Sequence, residues 1–144
     1  MLVSQVLKSK SSEGVVTIGP DASVADAANL LSSKRIGTIV VTSDGKHAAG
    51  VLSERDIVRE IGKRGPGCLN DSVADMMTRD PVVCVASDTA DEILSRMTEG
   101  RFRHMPVVEN GEMIGLITLG DLVKARLTEL AMEKDALEGM IMGH

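Results

Sequence analysis

Ser53 and Asp56 stand three positions apart, as do Thr118 and Asp121, and each pair closes the same short run. The copies are Gly50-Val51-Leu52-Ser53-Glu54-Arg55-Asp56 and Gly115-Leu116-Ile117-Thr118-Leu119-Gly120-Asp121, offset by 65 residues. An apolar run that ends at Ser or Thr and meets an acid three residues later reads as a strand passing into a helix. The first turn of such a helix carries backbone N–H groups without partners and the positive end of the helix dipole. Phosphate is drawn to such a place. One turn further in, a carboxylate can accept two hydrogen bonds from the adjacent hydroxyls of a ribose. Phosphate and ribose together are what a nucleotide presents. The same spacing is also an ordinary helix cap. Duplicated caps account for the hydroxyls and the acids, but not for the setting that recurs around them.

That setting repeats as a whole. Upstream, Arg35-Ile36-Gly37-Thr38-Ile39-Val40-Val41 aligns with Arg101-Phe102-Arg103-His104-Met105-Pro106-Val107, and each is followed by a polar turn holding Gly45 or Gly111. Both read as a strand entering a hairpin. Further upstream, Ser23-Val24-Ala25-Asp26 and Thr89-Ala90-Asp91-Glu92 are capping-box sequences that open helices. Short β-rich runs at 15–18 and 82–85 precede them. Each half therefore reads strand, helix, strand, turn, strand, helix. The fold class is α+β, built of two βαββα units over residues 1–66 and 67–128, with residues 129–144 as a C-terminal helical extension.

A unit of this size hides only about 60% of its unfolded surface. The halves are therefore expected to pack sheet to sheet about a pseudo-two-fold axis. The stretch Gly62-Lys63-Arg64-Gly65-Pro66-Gly67-Cys68-Leu69-Asn70 is a linker, and Ser72-Val73-Ala74-Asp75-Met76-Met77 introduces the second unit as residues 3–7 introduce the first. Along the last helix, from 121 to about 140, apolar residues recur near helical spacing, which predicts a face for a partner.

Together, the two motif copies and Arg103-His104-Met105-Pro106-Val107 resemble the tandem CBS domain, or Bateman module, in a stand-alone form covering roughly residues 3–127. The resemblance implies that Asp56 and Asp121 hold ribose and that Ser53 and Thr118 hold phosphate. It implies further that Arg103, His104, Met105 and Pro106 border a base, with Ile36, Gly37 and Thr38 as their first-repeat counterparts. Thr17, Ile18, Val83 and Cys84 match the segments that close the base pocket. Arg55 and Arg103 suit a phosphate clamp because a guanidinium is a forked donor; Arg55 reads equally well as an exposed helix residue. Gly120 stands where the first motif has Arg55, Arg103 where the first repeat has Gly37, and Pro106 where it has Val40, so the two clefts need not favour the same ligand.

The implied function is non-catalytic regulation, an energy or redox sensor acting on a partner protein as a homodimer. AMP is the first expectation for the ligand, and ADP, ATP or NAD(H) would offer the same ribose and phosphate. The competing expectation is a structural oligomerisation module with vestigial clefts.

Composition narrows the field. The 144-residue chain is 43% hydrophobic and 26% charged, the profile of a folded globular protein. Its net charge of -5 removes the general phosphate-backbone affinity on which nucleic-acid binders depend. Phe102 is the sole aromatic residue, so a stacking platform for bases is nearly excluded. Residues 1–66 carry nine Lys and Arg against seven Asp and Glu, and residues 67–144 carry seven against fourteen, so the acidity belongs to the second half.

Cys68 and Cys84 lack metal or disulfide spacing and have no nearby histidine, which predicts a reducing cytoplasm and no thiol catalysis. No apolar run approaches the roughly 20 residues of a membrane helix. The glycines and Lys63 of the linker lack the G-K-[S/T] ending of a phosphate-binding loop. His47 in a turn and His144 at the terminus leave no histidine cluster for a metal.

Overall fold

The computed structural model describes residues 1–10 and 14–142. Helix α1 (Val3–Ser9) comes first, then β1 (Thr17–Ile18), α2 (Val24–Lys34), β2 (Thr38–Val41), β3 (Gly50–Ser53) and α3 (Glu54–Arg64). A 3-10 turn at Pro66–Asn70 leads through α4 (Val73–Met76) and β4 (Thr78–Arg79) to the second half. That half comprises β5 (Cys84–Val85), α5 (Ala90–Gly100), β6 (His104–Glu109), β7 (Glu112–Thr118) and α6 (Leu119–Ile141). The βαββα order read from the sequence is present twice. His144 lies outside the described residues.

Local chemistry sets the element ends. Ser23 Oγ accepts from Asp26 N at 3.0 Å and Thr89 Oγ1 accepts from Glu92 N at 3.2 Å, so both capping sequences open the helices they predict. Helices α2 and α5 close on Arg35 and Arg101, both left-handed, with φ of 54° and 57°. The β6–β7 hairpin turns on Asn110-Gly111, whose positive φ values of 53° and 80° suit a tight two-residue turn.

The strands form two sheets, ordered β1-β2-β3-β4 and β5-β6-β7. In each, the first strand runs parallel to the second and the second antiparallel to the third. The strand β4 was not legible in the sequence; it pairs through Gly50 with Arg79 and Val51 with Thr78.

Strand β2 is buried at every position, which requires cover on both faces. Ile39 and Val41 enter the first core, whereas Thr38 and Val40 alternate to the opposite face. In β6, Met105 and Val107 enter the second core and the intervening His104 and Pro106 point the other way. The two outward faces meet. Thr38 Oγ1 and His104 Nδ1 share a 2.9 Å hydrogen bond across them, and Val40 is fully buried.

The introducing helices cross over. Val3 and Val6 of α1 sit in the second core with Cys84, Ile93, Met105 and Ile117, whereas Val73 of α4 sits in the first core with Val24, Ile39 and Leu52. Backbone bonds seal each crossing: Val3 N to Asp88 O at 2.9 Å and Ala90 N to Met1 O at 2.8 Å on one side, Val24 N to Asp71 O at 2.9 Å and Val73 N to Ala22 O at 2.8 Å on the other.

The first glycine of each motif makes the room. A Cβ on Gly50 would lie 2.5 Å from Met77 Sδ and 2.7 Å from Thr78 O, and one on Gly115 would lie 2.9 Å from Leu7 Cδ2.

Candidate functional site

Both motifs fold as reciprocal caps. Ser53 Oγ accepts from Asp56 N at 3.2 Å while Ser53 N donates to Asp56 Oδ2 at 2.9 Å, and the corresponding bonds at Thr118 and Asp121 measure 3.1 and 2.9 Å. The first helical residue then reaches back to the neighbouring strand: Glu54 N donates to Gly37 O and Leu119 N donates to Arg103 O, each at 2.9 Å. These bonds hold the helix tips beside Gly37-Thr38 and Arg103-His104.

Between the halves lies a cleft of about 1040 Å³, at the large end of small-molecule sites. The first half contributes Gly37, Thr38, Ser53, Arg55 and Asp56 to its wall; the second contributes Arg103, His104, Thr118 and Gly120. Nine of the residues singled out from sequence thus surround one space. Sequence reasoning missed Arg59, Arg101, Phe102 and Lys124, and also Asp80, Pro81 and Val82, which lead into β5. Arg59 and Lys124 did leave a signal, since each stands three residues beyond a motif acid.

The cleft is cationic in an acidic protein. Arg55, Arg59, Arg101, Arg103 and Lys124 face it, against Glu54, Asp56 and Asp80. Arg59 Nη2 donates to Asp56 Oδ1 at 2.8 Å, but no ion pair with a described residue engages the other four cations. Two helix N-termini also open here, at Ser53 and Thr118. The arrangement suits an anion whose neighbouring hydroxyls can reach a carboxylate.

The remaining predicted residues stand elsewhere. Thr17 and Ile18 form β1, paired with Val40 and Val41. Ile36 faces a shallower groove of about 500 Å³ between α2 and α3. Met105 is fully buried in the second core, and Pro106 is buried between the sheets. Val83 is exposed, its carbonyl accepting from Arg96 Nη2 at 3.1 Å. Cys84 is buried and its thiol donates to Pro106 O at 3.8 Å. Burial pushes that thiol up to about 11, away from the reactive thiolate.

Asp121 does not face the cleft; Lys10 Nζ donates to its Oδ2 at 2.8 Å and to Leu116 O at the same distance. His104 is held below the ordinary imidazole range, first by burial and then by the Arg103 and Lys10 charges. It is therefore a neutral ring on the cleft wall.

The model of the CBS domain matches residues 3–63 and again residues 73–128. The chain belongs to the CBS domain family. Each matched segment begins with the helix that packs on the other's core.

The CBS domain-containing protein CBSX3, mitochondrial, of Arabidopsis thaliana is 32% identical over 98% of this chain and 72% of its own length. CBSCBSPB2 of the same plant is 32% identical over 86% of this chain, which spans only 23% of that relative. Among solved structures, a CBS-domain containing protein of Agrobacterium tumefaciens superposes with a TM-score of 0.83 at 42% identity, over 88% of this chain and 99% of its own. CBSX2 in complex with AMP has a TM-score of 0.73 at 29% identity over 88% and 96%, and a Pyrobaculum aerophilum CBS domain protein complexed with AMP has 0.77 at 27% over 92% and 99%. Among the described residues, no helix is long and apolar enough to cross a membrane.

Proposed function

We propose that this CBS pair is a non-catalytic regulatory module that binds an adenine nucleotide in the cleft at Asp56, AMP first, with ADP, ATP or NAD(H) offering the same ribose and phosphate. The observation that carries the reading is the coincidence of two helix N-termini, a cationic surplus and the Asp56 carboxylate on one wall. Phosphate would lie among Arg55, Arg103 and the tips at Ser53 and Thr118. Ribose would take the free acceptor capacity of Asp56 Oδ1, in exchange with or beside Arg59. The base would lie toward Phe102 and Val82. The AMP complexes of CBSX2 and of the Pyrobaculum protein lend support.

Regulation follows if the nucleotide prefers one packing of the two halves, since a ligand shifts an equilibrium only by its differential affinity. The cleft wall joins both halves directly, Gly37 and Thr38 from one and Arg103 and His104 from the other. The altered packing would be read by a regulated partner protein, in an energy- or redox-sensing role, and the chain would work as a cytoplasmic homodimer away from nucleic acid and membranes. The hydroxyl–imidazole pair on the wall, Thr38 with His104, bridges the two halves, and the described cysteines are both buried.

Calorimetry with AMP, ADP, ATP and NADH tests the reading. At least one should bind, and at 100 times its Kd it should stabilise the fold by about 2.7 kcal/mol. Asp56→Ala should weaken it about 10- to 100-fold, the worth of charge-assisted hydrogen bonds. Absence of both heat and thermal stabilisation with all four would overturn it.

The assembly reading is favoured by one observation. Val123, Leu127, Leu130, Leu137 and Ile141 are all exposed on α6 at alternating three- and four-residue steps, with Lys134 filling the gap. That spacing is the seam of a helix pair.

A further inference from the structure

The two halves present opposite charges at one equivalent position. Residues 73–77 repeat residues 3–7 at an offset of 70. The correspondence is physical: Val3 and Val73 are both fully buried, each in the other half's core, and Leu7 and Met77 both lie against a motif glycine. Three residues beyond Leu7 is Lys10; three beyond Met77 is Asp80.

Lys10 reaches the acid of the second motif. Its Nζ lies 2.8 Å from Asp121 Oδ2 and donates to Leu116 O at 2.8 Å, so two acceptors hold the ammonium. Asp80 faces the cleft that contains Asp56, and two carboxylates cannot make that bond. There the partner is Arg59, one turn along α3. Lys124, which corresponds to Arg59, leaves Asp121 to Lys10 and lines the Asp56 cleft instead.

We propose that Lys10 is a built-in occupant of the Asp121 site. The ammonium stands on Oδ2 of the Asp121 carboxylate where a ribose would approach it, pinned by a second acceptor at Leu116 O, whereas the guanidinium of Arg59 on Asp56 is the more exposed of the two. The chain therefore holds one nucleotide, at Asp56, and the second site becomes available only when the Lys10 ammonium is displaced. The sign of the charge at positions 10 and 80 sets which half is open. This rests on the nucleotide reading above and adds to it the number of ligands and the residue that sets it.

The test uses AMP as probe, calorimetry for stoichiometry, and circular dichroism to check folding. Wild type is expected to bind one AMP per chain. Lys10→Asp, which copies the open half, and Lys10→Met, which keeps the apolar stem without the charge, are expected to bind two. Asp80→Lys is expected to lose affinity at the Asp56 cleft by at least about tenfold, by placing an ammonium beside Asp56. Two sites in wild type, or one site in both folded Lys10 variants, would overturn the proposal.

A second readout needs no nucleotide. Acetylation by an amine-reactive ester, followed residue by residue by mass spectrometry, should modify Lys10 several-fold faster in Asp121→Asn than in wild type, because Asn still caps the helix but does not hold the ammonium. Equal rates would also overturn it. If wild type binds no AMP, the nucleotide reading fails and the acetylation rates still decide whether Lys10 is held.

Discussion

The Thr38 hydroxyl of one sheet and the His104 imidazole of the other share a 2.9 Å hydrogen bond, and both residues line the cleft at Asp56. Whatever enters that cleft therefore meets a bond joining the two halves. The ring accepts this position because burial and the Arg103 and Lys10 charges keep it neutral, with Asp121 opposing them.

Acid should loosen the joint. The folded His104 titrates below its unfolded value of 6.5, so the unfolded chain binds the proton more readily. The stability from a neutral ring is complete above that value and declines as pH falls from it through the folded one. Thermal melting across about pH 8 to 5 should show this fall, and His104→Gln should flatten it relative to wild type; identical slopes would remove His104 from the account.

The motif glycines should resist substitution unequally. Gly50→Ala brings a methyl against the Thr78 backbone carbonyl, which cannot step aside, whereas Gly115→Ala meets only the flexible end of Leu7. Overpacking costs about 1–3 kcal/mol; Gly50→Ala belongs at the upper end and Gly115→Ala at the lower. Urea denaturation midpoints give the comparison.

Arg101 trades stability for charge. It ends α5 in the left-handed region, at φ 57°, while facing the cleft. Left-handed backbone costs a residue with a Cβ about 1–2 kcal/mol. Arg101→Gly should therefore raise the melting temperature and weaken AMP binding together. A variant that melts lower would show that the side chain contributes more than the strain removes.

The α6 seam should govern assembly. Leu130→Glu and Leu137→Glu place charge at two exposed positions of the stripe. Sedimentation velocity should show a smaller species for the double variant with the melting temperature of the monomer fold kept; an unchanged sedimentation coefficient would place any self-association elsewhere.

The repeats and their caps were legible because both are local. Ser23 to Asp26 and Ser53 to Asp56 lie within one helical turn, and spacing alone brings their atoms together. The cleft was legible in part for the same reason: the motif hydroxyls and Asp56 converge once each strand passes into its helix. What escaped depends on distance along the chain. Residues 3–7 carry the pattern of a helix, yet nothing in that pattern says its valines enter the far core. Nothing in the spacing around Lys10 points it to Asp121, at the far end of the chain, and the bond between them exists because α1 crosses over. Arg101 and Phe102 likewise reach the cleft through a left-handed corner that an arginine codon does not announce.

The crossing of α1 has a consequence for synthesis. A ribosome releases the valines of α1 first, but the surface they need includes Ile117 and the gap at Gly115, made much later. Until then the nascent first half lacks its own complement too, since Val73 has yet to arrive. Neither half can be finished in isolation, so severing the chain in the linker should leave two pieces that recover their native packing only by reassociating.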